Sequence, residues 1–155
     1  MRIPRVLFLS LLPVSYLATR RPGRGRFGRL LMHVFGDVTT VVGRARPQTG
    51  IEAVGREWQR MFARAEDVPI TRIEGDTVHA EIHIKCPYRG SGNVDGCFRM
   101  MEYDRRILER IGGQLVVLRS QAEPGVEVCQ LAIRPRDAAT ADLVPAHVRV
   151  GRAAK

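Results

Sequence analysis

The chain has 155 residues, 45% of them hydrophobic, and a formal net charge of +9. That length and apolar content suit one folded domain and exclude general disorder. Residues 1–50 hold nine arginines against a single acid, Asp37. The charge is therefore an end effect, and with no interleaving of basic and aromatic residues it argues against nucleic acid as a partner. Three cysteines form no dense, even framework. Free thiols in a reducing cytoplasm are the simpler expectation.

Arg2 and Arg5 precede an apolar run from Val6 to Ala18, which imitates a signal peptide. Pro13 interrupts it, no small-x-small cleavage site follows, and Arg20, Arg21, Arg24 and Arg26 crowd its end. The run is also short of the roughly 20 residues a bilayer demands. A core helix is expected here, with peripheral contact to an anionic membrane as the alternative. RPGRGRFGR at 21–29 reads as a basic linker. Leu30 to Val42 has helical spacing, weakened by the β-branched cluster at 38–42. Nothing in the pattern fixes stoichiometry, and a homodimer is one candidate.

Thr49 followed by Glu52 predicts a capping box, and Ile51, Val54, Trp58, Met61 and Phe62 form the apolar stripe of the helix behind it. The period then drops to two. Val68 to Glu74 reads as a strand, Gly75-Asp76 as a turn, and Thr77 to Cys86 as the partner strand. Alternation puts Val78, Ala80, Ile82, Ile84 and Cys86 on one face, and Thr77, His79, Glu81, His83 and Lys85 on the other. A helix is expected from about Asn93 to Ile111, stopping at Gly112-Gly113. Strands at 115–118 and 126–134 follow, and then a loosely held basic tail. The expected fold is α+β: N-terminal helices, then strand-strand-helix-strand-strand, an antiparallel-rich sheet with helices on one face. The expected division is a helical arm at 1–48, a core domain at 49–136 and a tail at 137–155.

Short connections should bring Cys86, Cys97 and Cys129 to one edge of that sheet. Cys97, near a helix N-terminus, is the candidate nucleophile, since the positive end of the helix favours a thiolate. Arg89 and the N–H groups near Gly90 to Asn93 could receive a carboxylate. Asp104 breaks the apolar stripe of its helix and is a candidate acid or base. Plain core packing of the cysteines, a thiol pocket, and a three-thiolate zinc site all remain open. His79, Glu81 and His83 offer a weaker metal reading, with solvation of an outer strand face as the alternative.

The order IKCPYRGSG, DGCFRMMEYDRRILERIGG, LVVLRSQA, GVEVCQLAIRP over residues 84–135 resembles the L-2-amino-thiazoline-4-carboxylic acid hydrolase-like family. It is more distantly similar to vinyl-reductase-type ligand-binding domains. The resemblance implies hydrolytic opening of a carboxylate-bearing thiazoline ring. Cys97 or Cys86 would then be the nucleophile, with Asp104 or His83 as acid–base. Arg89 would be the carboxylate partner, and Cys129 and His83 would lie against the substrate. The second family implies a non-enzymatic small-ligand or metal-binding module. Ser120 and Gln121 stand where its denser thiol cluster would continue, so no metal ligands are assigned; zinc stays an open cofactor.

Overall fold

A computed structural model describes residues 5–21, 23 and 25–153. Helices α1 (Arg5–Thr19), α2 (Gly25–Val42) and α3 (Ile51–Arg60) precede a hairpin of β1 (Ile70–Glu74) and β2 (Thr77–Ile82). Helices α4 (Val94–Met100) and α5 (Glu102–Ile111) lead to β3 (Gly113–Arg119) and β4 (Cys129–Pro135), and α6 (Ala146–Ala153) follows. The four strands form one antiparallel sheet in the order β1-β2-β4-β3, and helices pack against it. The fold is α+β, as the alternation of periods predicts.

The register shows how the core assembles. Val78 faces Ile133, Ala80 faces Leu131 and Ile82 faces Cys129 across β2 and β4. Leu115 and Val117 of β3 face Ile133 and Leu131 in turn. These side chains share one face because alternate residues point the same way. They bury against Val54 and Trp58 of α3 and Ile107, Leu108 and Ile111 of α5.

Several boundaries differ from expectation, each for a local reason. Thr49 does not cap α3; Gly50, at φ 85°, takes the cap position without a side-chain bond. The helix expected from 93 to 111 divides at Met101, whose φ and ψ of −68° and −2° tighten the turn between α4 and α5. Asn93 does cap α4, its Oδ1 accepting the Gly96 N–H at 2.8 Å. The second strand ends at Ile82 rather than Cys86. Residues 38–42 stay helical despite their β-branching: Thr39 is buried with its hydroxyl 3.1 Å from that of Tyr103, and Thr40 donates to the Asp37 carbonyl at 2.8 Å.

The described helices at both ends pack on the rest of the protein. α2 packs along α5, and α1 packs on both α2 and α4. The approach of α1 to α2 is so close that a β-carbon at Gly28 would stand 2.6 Å from the Ala18 carbonyl oxygen. At the other end, Ala146 is buried, His147 stacks on Phe98 at 3.9 Å, and Arg134 clamps Asp142 through two bonds. Among the described residues, no helix is long and apolar enough to cross a membrane. Arg2 and Arg24 lie outside the described residues.

Candidate functional site

The sheet end where β2 stops, β3 stops and β4 begins carries a cavity of about 70 Å³. By the measure of roughly 10–15 Å³ per water, that is room for about five waters or one small ring. Its walls come from α1 and α2 (Leu12, Phe35), from α4 and α5, and from the chain leaving β2. Cys86, Cys97, Cys129 and Asp104 all line it. Cys97 and Cys129 are buried and Cys86 half-buried, and all three are free thiols.

The reason Cys86 reaches this wall is Gln121, a residue no local pattern marks as part of a site. Its buried side chain takes over where the β2 ladder stops. Its amide nitrogen donates to the carbonyls of Ile82 (3.1 Å) and Ile84 (2.9 Å), and its oxygen accepts the Cys86 N–H at 3.0 Å. One side chain thus satisfies three backbone groups that would otherwise be costly to bury. The irregular turn it supports breaks the strand alternation. Lys85, expected on the outer face, instead joins the cavity lining as an exposed residue at its rim. Strand periodicity beyond Ile82 carried no signal for this.

The three thiols are electrostatically unequal. Burial pushes Cys86 up to about 12, only partly offset by the Tyr88 N–H that donates to its sulfur. Cys97 and Cys129 influence each other's ionisation. The Cys129 S–H donates to Cys97, which with the Ser120 hydroxyl and the Arg105 charge outweighs burial and holds Cys97 below an ordinary thiol. Cys129, as that donor and itself buried, is pushed well up. The pair therefore loses its first proton from Cys97. A neighbouring donor, and not the helix terminus, supplies the main effect.

Asp104 is fully buried, and its Oδ1 accepts the indole N–H of Trp58 at 3.0 Å. Burial raises its carboxyl to about 6, against the opposing pull of that bond and of the Arg105 charge. Arg105 does not bond it. Its guanidinium spans the Phe98 carbonyl (2.8 Å) and Glu102 (3.0 Å), over the Phe98 ring. Glu102 also accepts from Arg29 at 3.1 Å and lies 3.1 Å from His33. Burial opposes its ionisation, but the His33 bond and the arginine charges hold its carboxyl below the usual range.

Other expected site residues are elsewhere. Arg89 is outside the cavity lining, with Glu127 3.8 Å away. The proposed anion cradle is already filled: the N–H groups of Gly90 and Gly92 donate to the carbonyls of Gln121 and Ala122, both at 2.8 Å. His83 is also outside the lining, bonded to Glu81 at 2.7 Å, while His79 sits between Arg72 (3.4 Å) and Glu74 (3.8 Å). The two histidines thus face different partners. Among the described residues, no group of three or more His, Cys, Asp or Glu has a metal-holding arrangement.

No protein-family model, curated protein or solved structure matches this chain. What the site can do is therefore read from its chemistry: an apolar chamber, one acidified thiol, one carboxyl poised near neutrality, and an exposed lysine, Lys85, among the lining residues.

Proposed function

We propose that the protein is a small-ligand-binding module whose recognition chamber is the thiol-lined cavity. The observation that carries this reading is that Cys86, Cys97 and Cys129, from three distant segments, line one largely apolar hollow together with Asp104. Small-molecule sites commonly combine apolar walls with a few placed polar groups. Such a chamber suits a small ring with one hydrogen-bonding edge toward Asp104 and an acidic substituent toward Lys85. The free thiols fit a reducing compartment such as the cytoplasm.

Trp58 is the only tryptophan and touches a cavity-lining carboxyl, so its emission reports occupancy. Titration with L-2-amino-thiazoline-4-carboxylate and with uncharged thiazolines should change that emission in a saturable way. Substituting Met101→Phe, which narrows the chamber without adding a second indole, should weaken the change. Emission unaffected by any of these probes sinks the reading.

Hydrolysis is the second reading, favoured by the acidified Cys97 beside a carboxyl that can hold a proton near neutral pH. Cys97 Sγ would add to the ring carbon, and Asp104 would protonate the departing nitrogen. Water would then release the thiol. Lys85 replaces Arg89 as the cation that meets the carboxylate. Steady turnover of the thiazoline carboxylate, lost in Cys97→Ser with binding retained, is the expected result. Turnover that survives Cys97→Ser ends this reading and leaves the binding module standing.

A further inference from the structure

The outward side of α2 is the wrong way round for a helix bathed in water. Phe27, Leu30, Val34, Val38 and Val41 recur at spacings of three and four and are between 46% and 73% exposed. A solvated helix face should be polar, and a contiguous exposed apolar stripe marks a surface that meets something else. α1 adds Val14 and Leu17, each nearly half exposed, while its Leu12 and Ser15 line the cavity.

The stripe has a charged frame of one sign. Arg20 and Arg21 lie exposed at the corner between the helices, Arg26 in the first turn of α2, and Arg44 just beyond its end. The one acid along α2, Asp37, is held by Arg106 (2.8 Å) and Arg110 (2.9 Å), so it offsets none of these charges. The Arg106 bond holds the carboxyl of half-buried Asp37 below the usual range.

We infer that the α1–α2 face docks on an anionic lipid surface, with α2 lying in the interfacial plane. An apolar stripe flanked by arginines is the chemistry of a helix that rests on a membrane without crossing it. A second copy of the chain fits worse. Two-fold pairing makes the same patch face itself, so arginine-rich ends meet arginine-rich ends whether the helices run parallel or antiparallel. Anionic headgroups satisfy both ends at once. This inference does not depend on the ligand reading and stands or falls separately.

The test is co-sedimentation of the full chain with phosphatidylcholine vesicles, with and without phosphatidylserine. Binding is expected only with phosphatidylserine, and it should be lost at 1 M salt, where the Debye length is about 3 Å. Leu30→Ser/Val38→Ser should weaken it about tenfold or more. Arg20→Glu/Arg21→Glu should do the same through charge alone. Both pairs are exposed, so native Trp58 emission and far-ultraviolet dichroism should persist. Equal binding to both vesicle types, or to neither, overturns the inference. So does a lipid-free dimer in sedimentation velocity that Leu30→Ser/Val38→Ser dissociates.

Discussion

The stretch from His79 to Cys86 feeds two regions with opposite properties. In its first half His79 and Glu81 lie half-buried beside charged neighbours on the outer face of β2, and His83 stands exposed just past the end of the strand. Its second half leaves the sheet and enters the cavity wall, where thiols lie among apolar side chains. One run of sequence thus mixes residues that look equally chemical. What separates them is dehydration: a buried group must be satisfied by the fold or must change its protonation, whereas an exposed one is satisfied by solvent. The cavity side should therefore answer strongly to single substitutions and the outer face hardly at all.

The largest expected effect is at Gln121. Gln121→Leu keeps the bulk but strands the carbonyls of Ile82 and Ile84 and the N–H of Cys86. At about 1–3 kcal/mol for each unsatisfied buried group, a loss of about 4 kcal/mol is expected in urea unfolding. A loss under about 1 kcal/mol would mean that water already serves those groups, and the contrast between the two regions would fail.

Asp104 comes next, with a defined dependence on pH. Its folded-state pKa of about 6 lies above the ordinary aspartate value of 3.8. The folded state therefore binds this proton more tightly. The stabilisation is complete below the unfolded pKa and is lost as pH rises through about 6. A shift of about two units corresponds to about 3 kcal/mol. Asp104→Asn cannot ionise, so its stability relative to the native chain should improve by up to about 3 kcal/mol between pH 3 and pH 8. A pH-independent difference would show that the carboxyl is not dehydrated.

A smaller, kinetic effect distinguishes the thiols. Cys97 should be the first to react with a small methylthiolating thiosulfonate such as methyl methanethiosulfonate, which leaves a mixed disulfide on the sulfur and releases methanesulfinate, and mass spectrometry of the peptides checks it. Cys129→Ala removes the S–H donor that lowers the Cys97 thiol and should slow that reaction at neutral pH. Faster modification of Cys97 in the variant would show that access, not acidity, governs its reactivity.

The sheet, its two-residue period and the facing of Cys129 with the core were legible because burial on one face writes itself into alternate residues. The gathering of three thiols followed from short connections between those elements. What stayed hidden depends on contacts distant in sequence. Nothing local announces that Gln121 will bridge Ile82, Ile84 and Cys86, or that Lys85 will join the cavity lining once the ladder ends. Arg89 illustrates the converse: a cation beside a glycine-rich turn looks like an anion site, but the nearby N–H groups of Gly90 and Gly92 are already bonded to the 121–122 backbone. The sequence offered their donors and not their acceptors. Likewise the basic charge of residues 1–50 was plain, but its position around the exposed face of α2 needed the packing of that helix on α5.

The smallest expected effect completes the contrast. His83 pairs with Glu81 at 2.7 Å, with 44% of the His83 side chain exposed. Exposed ion pairs contribute about 0–1 kcal/mol, because both groups are nearly as well served by water. His83→Ala should therefore change unfolding free energy by less than about 0.5 kcal/mol, and binding of a thiazoline, read at Trp58, not at all. The pairing of Glu81 with Gln130 and of Ile82 with Cys129 fixes the end of β2 without help from the imidazole. If His83→Ala instead abolished binding, the ligand would be contacting the outer face, and dehydration would no longer divide the two halves of this stretch.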